Sequence, residues 1–391
     1  MLMGIYAVLV LLFLLIGYLI TERIIHKKHI QALPIRIWVN GSRGKSSVTR
    51  LIAAGLRAKY EKVIAKTTGT APRFIVDNTT EYPVIRLGLA NIREQIRIFK
   101  KAIEERPAAV VLECMALRPD LQKIESKQIV EPTAVVITNI RPDHLDVMGP
   151  TVKDIAKTFV ETIPKNCPLF TNEGELLEKF KKKLKRQNSK LIKADPEKVP
   201  DSEVKKFPYW EHKENICLAL EVCRYFGVEK KKALQYMQKV TPDPGALRRY
   251  KLRLNNQQVL LVNAMAANDP ESTHRIWKSL NKDHPEVDIL INCRNDRLDR
   301  SLQIAELLKN HLNTASRYIL TGSGTDILEK RLTKTFDKDK IVNLGGAKPH
   351  QTVDAVSQLI SDESLLFAIG NTVGYGAELI KEFLKHQEGK C

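Results

Sequence analysis

The chain has 391 residues and 63 Lys+Arg against 45 Asp+Glu, a formal net charge of +18; at roughly 100–200 residues per domain that length predicts two or three domains. With 43% hydrophobic and 28% charged residues it can bury a real core and falls outside the disordered class. Its six cysteines form no C-x-x-C pair and, with nine scattered histidines, show no zinc-ligand spacing, which excludes a disulfide scaffold and a zinc module.

The first predicted element is a membrane span. No charged residue occurs from Met1 to Ile20, and about 20 apolar residues in a helix cross a ~30 Å hydrocarbon core. Arg23, Lys27 and Lys28 follow at once, so the positive-inside rule puts the remainder of the chain in the cytoplasm. A cleavable signal peptide would need a basic leading region and a small-residue cleavage site, and the sequence has neither. The reading is a single-pass cell-membrane anchor over residues 1–22.

Beyond it, short Val- and Ile-rich runs alternate with longer amphipathic stretches, the pattern of parallel sheets with crossover helices. In residues 31–241 strands are predicted at Ile35–Val39, Val110–Leu112 and Val135–Thr138, with helices from Lys45 to about Lys59 and over Asn91–Glu105. Between the first strand and its helix stands Gly41-Ser42-Arg43-Gly44-Lys45-Ser46-Ser47. Glycines let the backbone bend so that N–H groups and the helix start face a phosphate. Lys45 would neutralise the terminal phosphates, and the Ser46 hydroxyl would ligate Mg²⁺. The full Walker spacing needs a glycine where Val39 stands, so this is the shorter G-x-x-G-K-S form.

The other two strands run into Glu113 and into Asn139-Ile140-Arg141-Pro142-Asp143-His144. Ligands of open α/β sheets sit beyond the carboxyl ends of the strands, which puts Glu113 and His144 on the edge that carries the glycine loop. A hard carboxylate suits Mg²⁺; a neutral imidazole is an unusual ligand for it.

Farther on, the basic stretch Lys179–Lys193 reads most simply as a solvated helix face, and Thr241–Tyr250, with two prolines and a glycine, as a boundary. Residues 242–391 carry predicted strands at Val259–Val262, Ile289–Ile291, Arg317–Leu320 and Leu365–Ile369. Arg294, Arg297 and Arg300 follow the second of these, and arginine forks suit substrate carboxylates. Gly370-Asn371-Thr372-Val373-Gly374 follows the last.

These blocks resemble the ATPase core of the Mur ligases and folylpolyglutamate synthases, and most nearly the ligase subunit of poly-γ-glutamate synthase (the CapB/PgsB type). The resemblance rests on GSRGKSS, KTTGT (Lys66–Thr70), LECMALRPD (Leu112–Asp120), DHLDVMGPT (Asp143–Thr151), PDPGALR (Pro242–Arg248), AANDPEST (Ala266–Thr273) and NCRNDRLDR (Asn292–Arg300). It implies an α/β fold with a P-loop Mur-ligase-like ATPase domain and a smaller Rossmann-like C-terminal domain that closes over it. The implied activity is ATP-dependent amide ligation through an acyl phosphate, extending poly-γ-glutamate with glutamate.

By the same carry-over, Lys45 and the backbone of Gly41, Ser42, Arg43 and Gly44 hold the phosphates. Ser46 or Ser47 and Glu113 hold one Mg²⁺ and His144 a second. Asn215 reads adenine, Arg248 reaches the γ-phosphate, and Asn268 and Asp269 face substrate. A lone anchor cannot export a polyanion, so other membrane subunits are expected. Mur ligases and their relatives carry a carbamylated lysine some 15 residues after the metal histidine; here that count lands on Phe159, with Lys157 two residues away. The C-terminal DGAHN-type histidine is absent, the stretch reading Asn263-Ala264-Met265-Ala266-Ala267-Asn268-Asp269.

Two other readings compete: a folylpolyglutamate-synthase-like ligase, against which the membrane helix and the missing histidine speak, and a membrane-tethered nucleic-acid-binding NTPase. No aromatic interleaving, recognition helix or RNA-binding motif accompanies the basic stretch, so no nucleic-acid partner is expected.

Overall fold

The structure, a computed structural model, describes residues 2–388 except 70, 87, 143–144, 174–177, 179, 208, 210, 243–246, 266, 268–269 and 281–285. The chain divides into two compact units, Met1–Asp243 and Pro244–Cys391.

The first unit is built on a mixed sheet. Its strands are β1 (Ile35–Asn40), β2 (Val63–Lys66), β3 (Arg73–Ile75), β4 (Glu81–Pro83), β5 (Ala109–Glu113), β6 (Ala134–Ile137), β7 (Leu169–Thr171) and β8 (Leu191–Lys193). They lie in the order β4-β3-β2-β5-β1-β6-β7-β8, parallel from β2 to β8, with β3 and β4 antiparallel at one edge. The central strands are covered on both faces, so they read as continuous apolar runs. Alternation sorts their side chains. Ile37, Val39, Val111 and Val136 pack with the helices Lys45–Leu56 and Lys213–Tyr225, whereas Trp38, Val110, Leu112 and Val135 pack with Phe99 and Phe159 on the opposite face.

Helix boundaries depart from the sequence reading by a few residues, for local reasons. The helix expected to reach Lys59 ends at Leu56, where the Arg57 guanidinium turns to the carbonyl of Val63 and to Asn78 Oδ1 (2.6 and 2.7 Å). The next helix begins at Glu94 rather than Asn91, because Asn91 makes a turn of its own, its Oδ1 accepting from the Arg93 amide at 2.9 Å. The basic stretch is only partly helical. Lys181–Arg186 is a short helix, Asn188 takes a left-handed φ of 52°, and the chain re-enters the sheet as β8. Surface ion pairs engage several of its charges: Lys181 and Lys193 with Glu178, and Lys183 with Glu161.

The N-terminal helix is one piece of 30 residues, Leu2–Gln31. By length and apolarity it can cross a membrane, and Ile5–Ile20 are exposed along it. It does not stop at residue 22. Its last turns carry His26 and Ile30 into the first unit, and Leu33 beyond it is buried as well.

The second unit has β9 (Arg248–Leu254), β10 (Gln257–Asn263), β11 (Val287–Cys293), β12 (Arg317–Gly322), β13 (Ile341–Asn343) and β14 (Ser364–Gly370) in the order β13-β12-β11-β14-β10-β9. All neighbours are parallel except β9. It pairs antiparallel with β10 through Asn255 and Asn256, both at positive φ, as a tight hairpin requires. Arg248–Tyr250, read from the sequence as part of the boundary, belong to this strand, whose charged residues alternate with the buried Leu252 and Leu254.

Candidate active site

Parallel register assembles the site. Val39 of β1 stands beside Glu113 of β5, and Asn40 beside Ile137 of β6. The chain therefore leaves all three strands at one edge, as the sequence reading expected for Gly41–Ser47, Glu113 and the segment after β6.

The glycine loop is fastened from that third strand end. Ser42 N donates to Asn139 O and Arg43 N to Asn139 Oδ1, both at 3.0 Å, while Asn139 Nδ2 returns a bond to Arg43 O at 3.0 Å. Thr138 Oγ1 donates to the same carbonyl, and Gly41 N donates to Asn40 Oδ1 at 2.8 Å. The N–H groups of Gly41, Ser42 and Arg43 thus already have protein acceptors. Anion-facing donors begin at Gly44 and the first turn of the helix Lys45–Leu56, whose N–H groups have no intrahelical acceptor and sit at the positive end of its dipole. Two glycines are obligatory here. Gly41 (φ 132°) has no room for a Cβ against Thr138, and Gly44 (φ 77°) holds the left-handed cap, where a Cβ would stand 2.9 Å from Asn215 Oδ1.

Lys45 arches back over the loop, its Nζ donating to Gly41 O at 2.7 Å and to Ser42 O at 3.2 Å. Ser46 Oγ donates to Glu113 Oε2 at 2.9 Å, and the Thr68 amide donates to the same oxygen at 2.7 Å. Glu113 is nearly fully buried. Ser47 lies half-buried in the same turn. A hydroxyl and a carboxylate side by side are hard oxygen donors, the set a Mg²⁺-sized cation takes when substrate phosphate and water complete its shell. Among the described residues no group of three or more His, Cys, Asp or Glu side chains could hold a metal alone. His144 lies outside the described residues.

Behind Glu113 sits a buried polar network that sequence reasoning missed. Gln95 Nε2 donates to Glu113 O (3.0 Å) and to Glu125 Oε1 (2.9 Å). Glu125 also accepts from Trp38 Nε1 and from the amides of Met115 and Ala116, all within 3.2 Å. Burial raises the Glu125 carboxyl above its ordinary value, against the pull of those donors. It opens a π-helical turn, Glu125–Val130, a distortion frequent at functional sites. Next to it, the fully buried Lys66 pairs with Glu94 at 2.6 Å, and Arg86 caps the same carboxylate. Burial works to raise the Glu94 carboxyl, but the bonds from Arg86 and Lys66 outweigh it and hold it below the ordinary value.

Asn215 is buried against Gly44, donating from Nδ2 to Glu211 Oε1 at 2.7 Å. Burial pushes the Glu211 carboxyl up to about 7. Where the carbamylated lysine is counted, Phe159 is core and Lys157 is exposed.

In the second unit, Arg248 opens β9 opposite Asn263. Arg294 forks onto Asp296 (2.9 and 2.7 Å), and Arg297 is exposed. Arg300 donates to Gly370 O (2.8 Å), Ala267 O (3.3 Å) and Asn371 Oδ1 (3.3 Å), bracing the ends of β10 and β14. The three arginines therefore do not form one fork. Arg294, Ser323, Gly346, Val373 and Tyr375 border a hollow of about 410 Å³ beyond the carboxyl ends of β11 and β12. Asn268 and Asp269 lie outside the described residues. The clue to Asn139, Thr68, Gln95 and Glu125 was position alone: the first two stand in quoted motifs, but nothing local marks their partners.

Residues 39–232 match the family model of the Mur ligase middle domain, and residues 249–386 that of the poly-gamma-glutamate synthase CapB C-terminal domain. The chain is 37% identical to PGA synthase CapB of Bacillus subtilis (strain 168) over 383 residues, 96% of each chain. It is 35% identical to the capsule biosynthesis protein CapB of Bacillus anthracis over 386 residues, 96% of this chain and 82% of that one. In fold it is similar to the bifunctional folylpolyglutamate synthase/dihydrofolate synthase of Yersinia pestis complexed with AMPPNP and Mn ion. The TM-score is 0.69 at 13% identity, over 93% and 92% of the two chains.

Proposed function

This chain belongs to the poly-γ-glutamate synthase CapB family, and on that premise we propose how its residues divide the work of ligation. It is an ATP-dependent amide ligase of poly-γ-glutamate synthesis. The observation that carries the catalytic reading is the convergence of Lys45, Ser46 and Glu113 at one sheet edge, with Ser46 bonded to Glu113. The N–H groups from Gly44 through the first helical turn grip the nucleotide phosphates, and Lys45 leaves its two carbonyls to neutralise them. Nucleotide in the fold relative from Yersinia pestis supports ATP as the ligand of this loop.

Ser46 and Glu113 would hold Mg²⁺, which when bound offsets charge on the phosphoryl oxygens. His144 is the proposed ligand of a second ion. Asn215, packed on the loop, is the adenine-side residue of the site. Phosphoryl transfer asks the protein chiefly for positioning and electrostatics. The terminal carboxylate of the polymer attacks the γ-phosphorus and ADP leaves. The amine of glutamate then attacks the acyl carbon, expelling inorganic phosphate and a proton as the amide forms. The names of the relatives favour glutamate polymer over a folate as acceptor.

The order β13-β12-β11-β14-β10, parallel throughout, supports a Rossmann-like reading of the second unit. Its hollow beside Arg294, Ser323 and Tyr375 suits a small carboxylate substrate such as glutamate. The helix Leu2–Gln31 is the proposed anchor, with Arg23, Lys27 and Lys28 keeping the two units cytoplasmic and further membrane subunits carrying the polymer out.

The test follows an oxygen atom. Polymer labelled with ¹⁸O in its terminal carboxylate, incubated with the full chain, ATP and glutamate, should pass label to inorganic phosphate. Label in AMP, with none in phosphate, would sink the acyl-phosphate reading.

A further inference from the structure

The anchor helix and the helix Glu94–Glu104 run side by side in the same direction. Glu22 receives Arg93 Nη2 at 2.7 and 2.8 Å from its two oxygens, and farther along both helices His26 stacks edge-on against Phe99, centroids 5.2 Å apart. The start of the Glu94–Glu104 helix therefore points back toward the apolar run that ends at Ile20. Glu22 is two residues past that end, about 3 Å along the axis. The segment leading into Arg93 joins the helix at that end.

That segment is apolar where a soluble surface would be polar. Leu89 is 99% exposed and Ile85 78%, more than any described large hydrophobic residue of the anchor itself. Arg23, Arg93 and Arg97 are exposed, Arg23 next to Glu22 in the chain and Arg97 about one helical turn beyond Arg93. Arg93 comes four positions after Leu89, a reach of roughly 13 Å at most, against an interfacial zone about 5–10 Å deep. Docked through His26, Ile30 and the Glu22–Arg93 pair, the anchor is a rigid post rather than a tether, so the segment meets the same bilayer at a fixed height.

We propose that Ile85 and Leu89 form a second membrane contact, entering the headgroup–acyl boundary of an anionic leaflet while Arg23 and Arg97 face its phosphates. This rests on the reading of Leu2–Gln31 as a membrane anchor. It commits the first unit to one orientation on the membrane surface, with the start of the Glu94–Glu104 helix turned toward the lipid.

The test uses the full chain in nanodiscs containing phosphatidylglycerol and acyl-chain-brominated lipid. Cysteines replace Ile16, Ile85, Leu89 or Lys182 in a Cys391→Ser background, each carrying an environment-sensitive fluorophore; the five other cysteines are buried. Brominated lipid should quench Ile16→Cys strongly, reduce Ile85→Cys and Leu89→Cys emission by about half, as expected at interfacial depth, and leave Lys182→Cys unchanged. Quenching at Ile16 without quenching at Leu89 overturns the proposal and leaves the anchor standing. No quenching at Ile16 overturns the anchor, and the proposal with it. A Leu89 probe that ignores lipid and responds to added poly-γ-glutamate makes the segment a polymer contact and also overturns it.

Discussion

Glu125 reaches back ten residues along the chain to accept the amide of Met115 at 3.2 Å, fixing the backbone just beyond Glu113. The carboxylate thereby acts on the site without facing it. Glu125→Ala removes the acceptor of Trp38 Nε1, of the Met115 and Ala116 amides and of one of the two Gln95 Nε2 bonds in a dry interior and should cost about 3–5 kcal/mol. Glu125→Gln keeps one acceptor oxygen and should fold, with a lower kcat and little change in KM for ATP. Denaturant melts and ATP-dependent ligation assays on both variants check this; an unchanged kcat in the Gln variant would remove the positioning role.

Among the described residues Lys45 Nζ bonds to the carbonyls of Gly41 and Ser42 in the loop itself. Lys45→Ala should abolish ligation while shifting stability by less than about 1 kcal/mol. Turnover at the wild-type rate would end the phosphate-loop assignment.

Asn139 holds the loop through three bonds, two between its side-chain amide and the Arg43 backbone and one from Ser42 N to its own carbonyl. Asn139→Asp keeps the acceptor but sets a carboxylate oxygen against Arg43 O. The loop should loosen, weakening ADP binding about tenfold or more, about 1.4 kcal/mol per decade. Calorimetric titration with ADP measures it, and wild-type affinity would show that the fastening is dispensable.

Burial holds Glu211 protonated up to about 7 in the folded chain, against an ordinary value of 4.5 when unfolded. The folded state therefore binds this proton more tightly. The contribution is intact below 4.5, falls as pH rises toward 7, and is gone above it, a change of about 3 kcal/mol at most. Glu211→Gln removes the titration, so its stability relative to wild type should rise between pH 4.5 and 7.5. Parallel slopes in chemical denaturation across that range would contradict the assignment.

Much of the site is legible in the amino-acid order itself. The G-x-x-G-K-S spacing after a β run specifies a loop, a lysine and a hydroxyl in order, since these follow one another along the chain, whereas Asn139 decides that the Ser42 and Arg43 amides are already engaged. The charge-free run to Ile20 and the basic residues after it are likewise local, and so are the Val- and Ile-rich central strands. What lies beyond reach depends on distant partners. Asn139 is about a hundred residues from the loop that it fastens, and Glu125 is silent in sequence because a buried carboxylate is defined by the donors folded around it. The strands β2, β3, β4, β7, β8, β9 and β13 escape notice because most are three or four residues long and carry no period of their own. The sequence determined the order of residues in the glycine loop and the apolar reach of the first helix. Only the tertiary structure decided that this helix continues into the first unit, because the burial of Ile30 and Leu33 is a property of the surfaces that close over them.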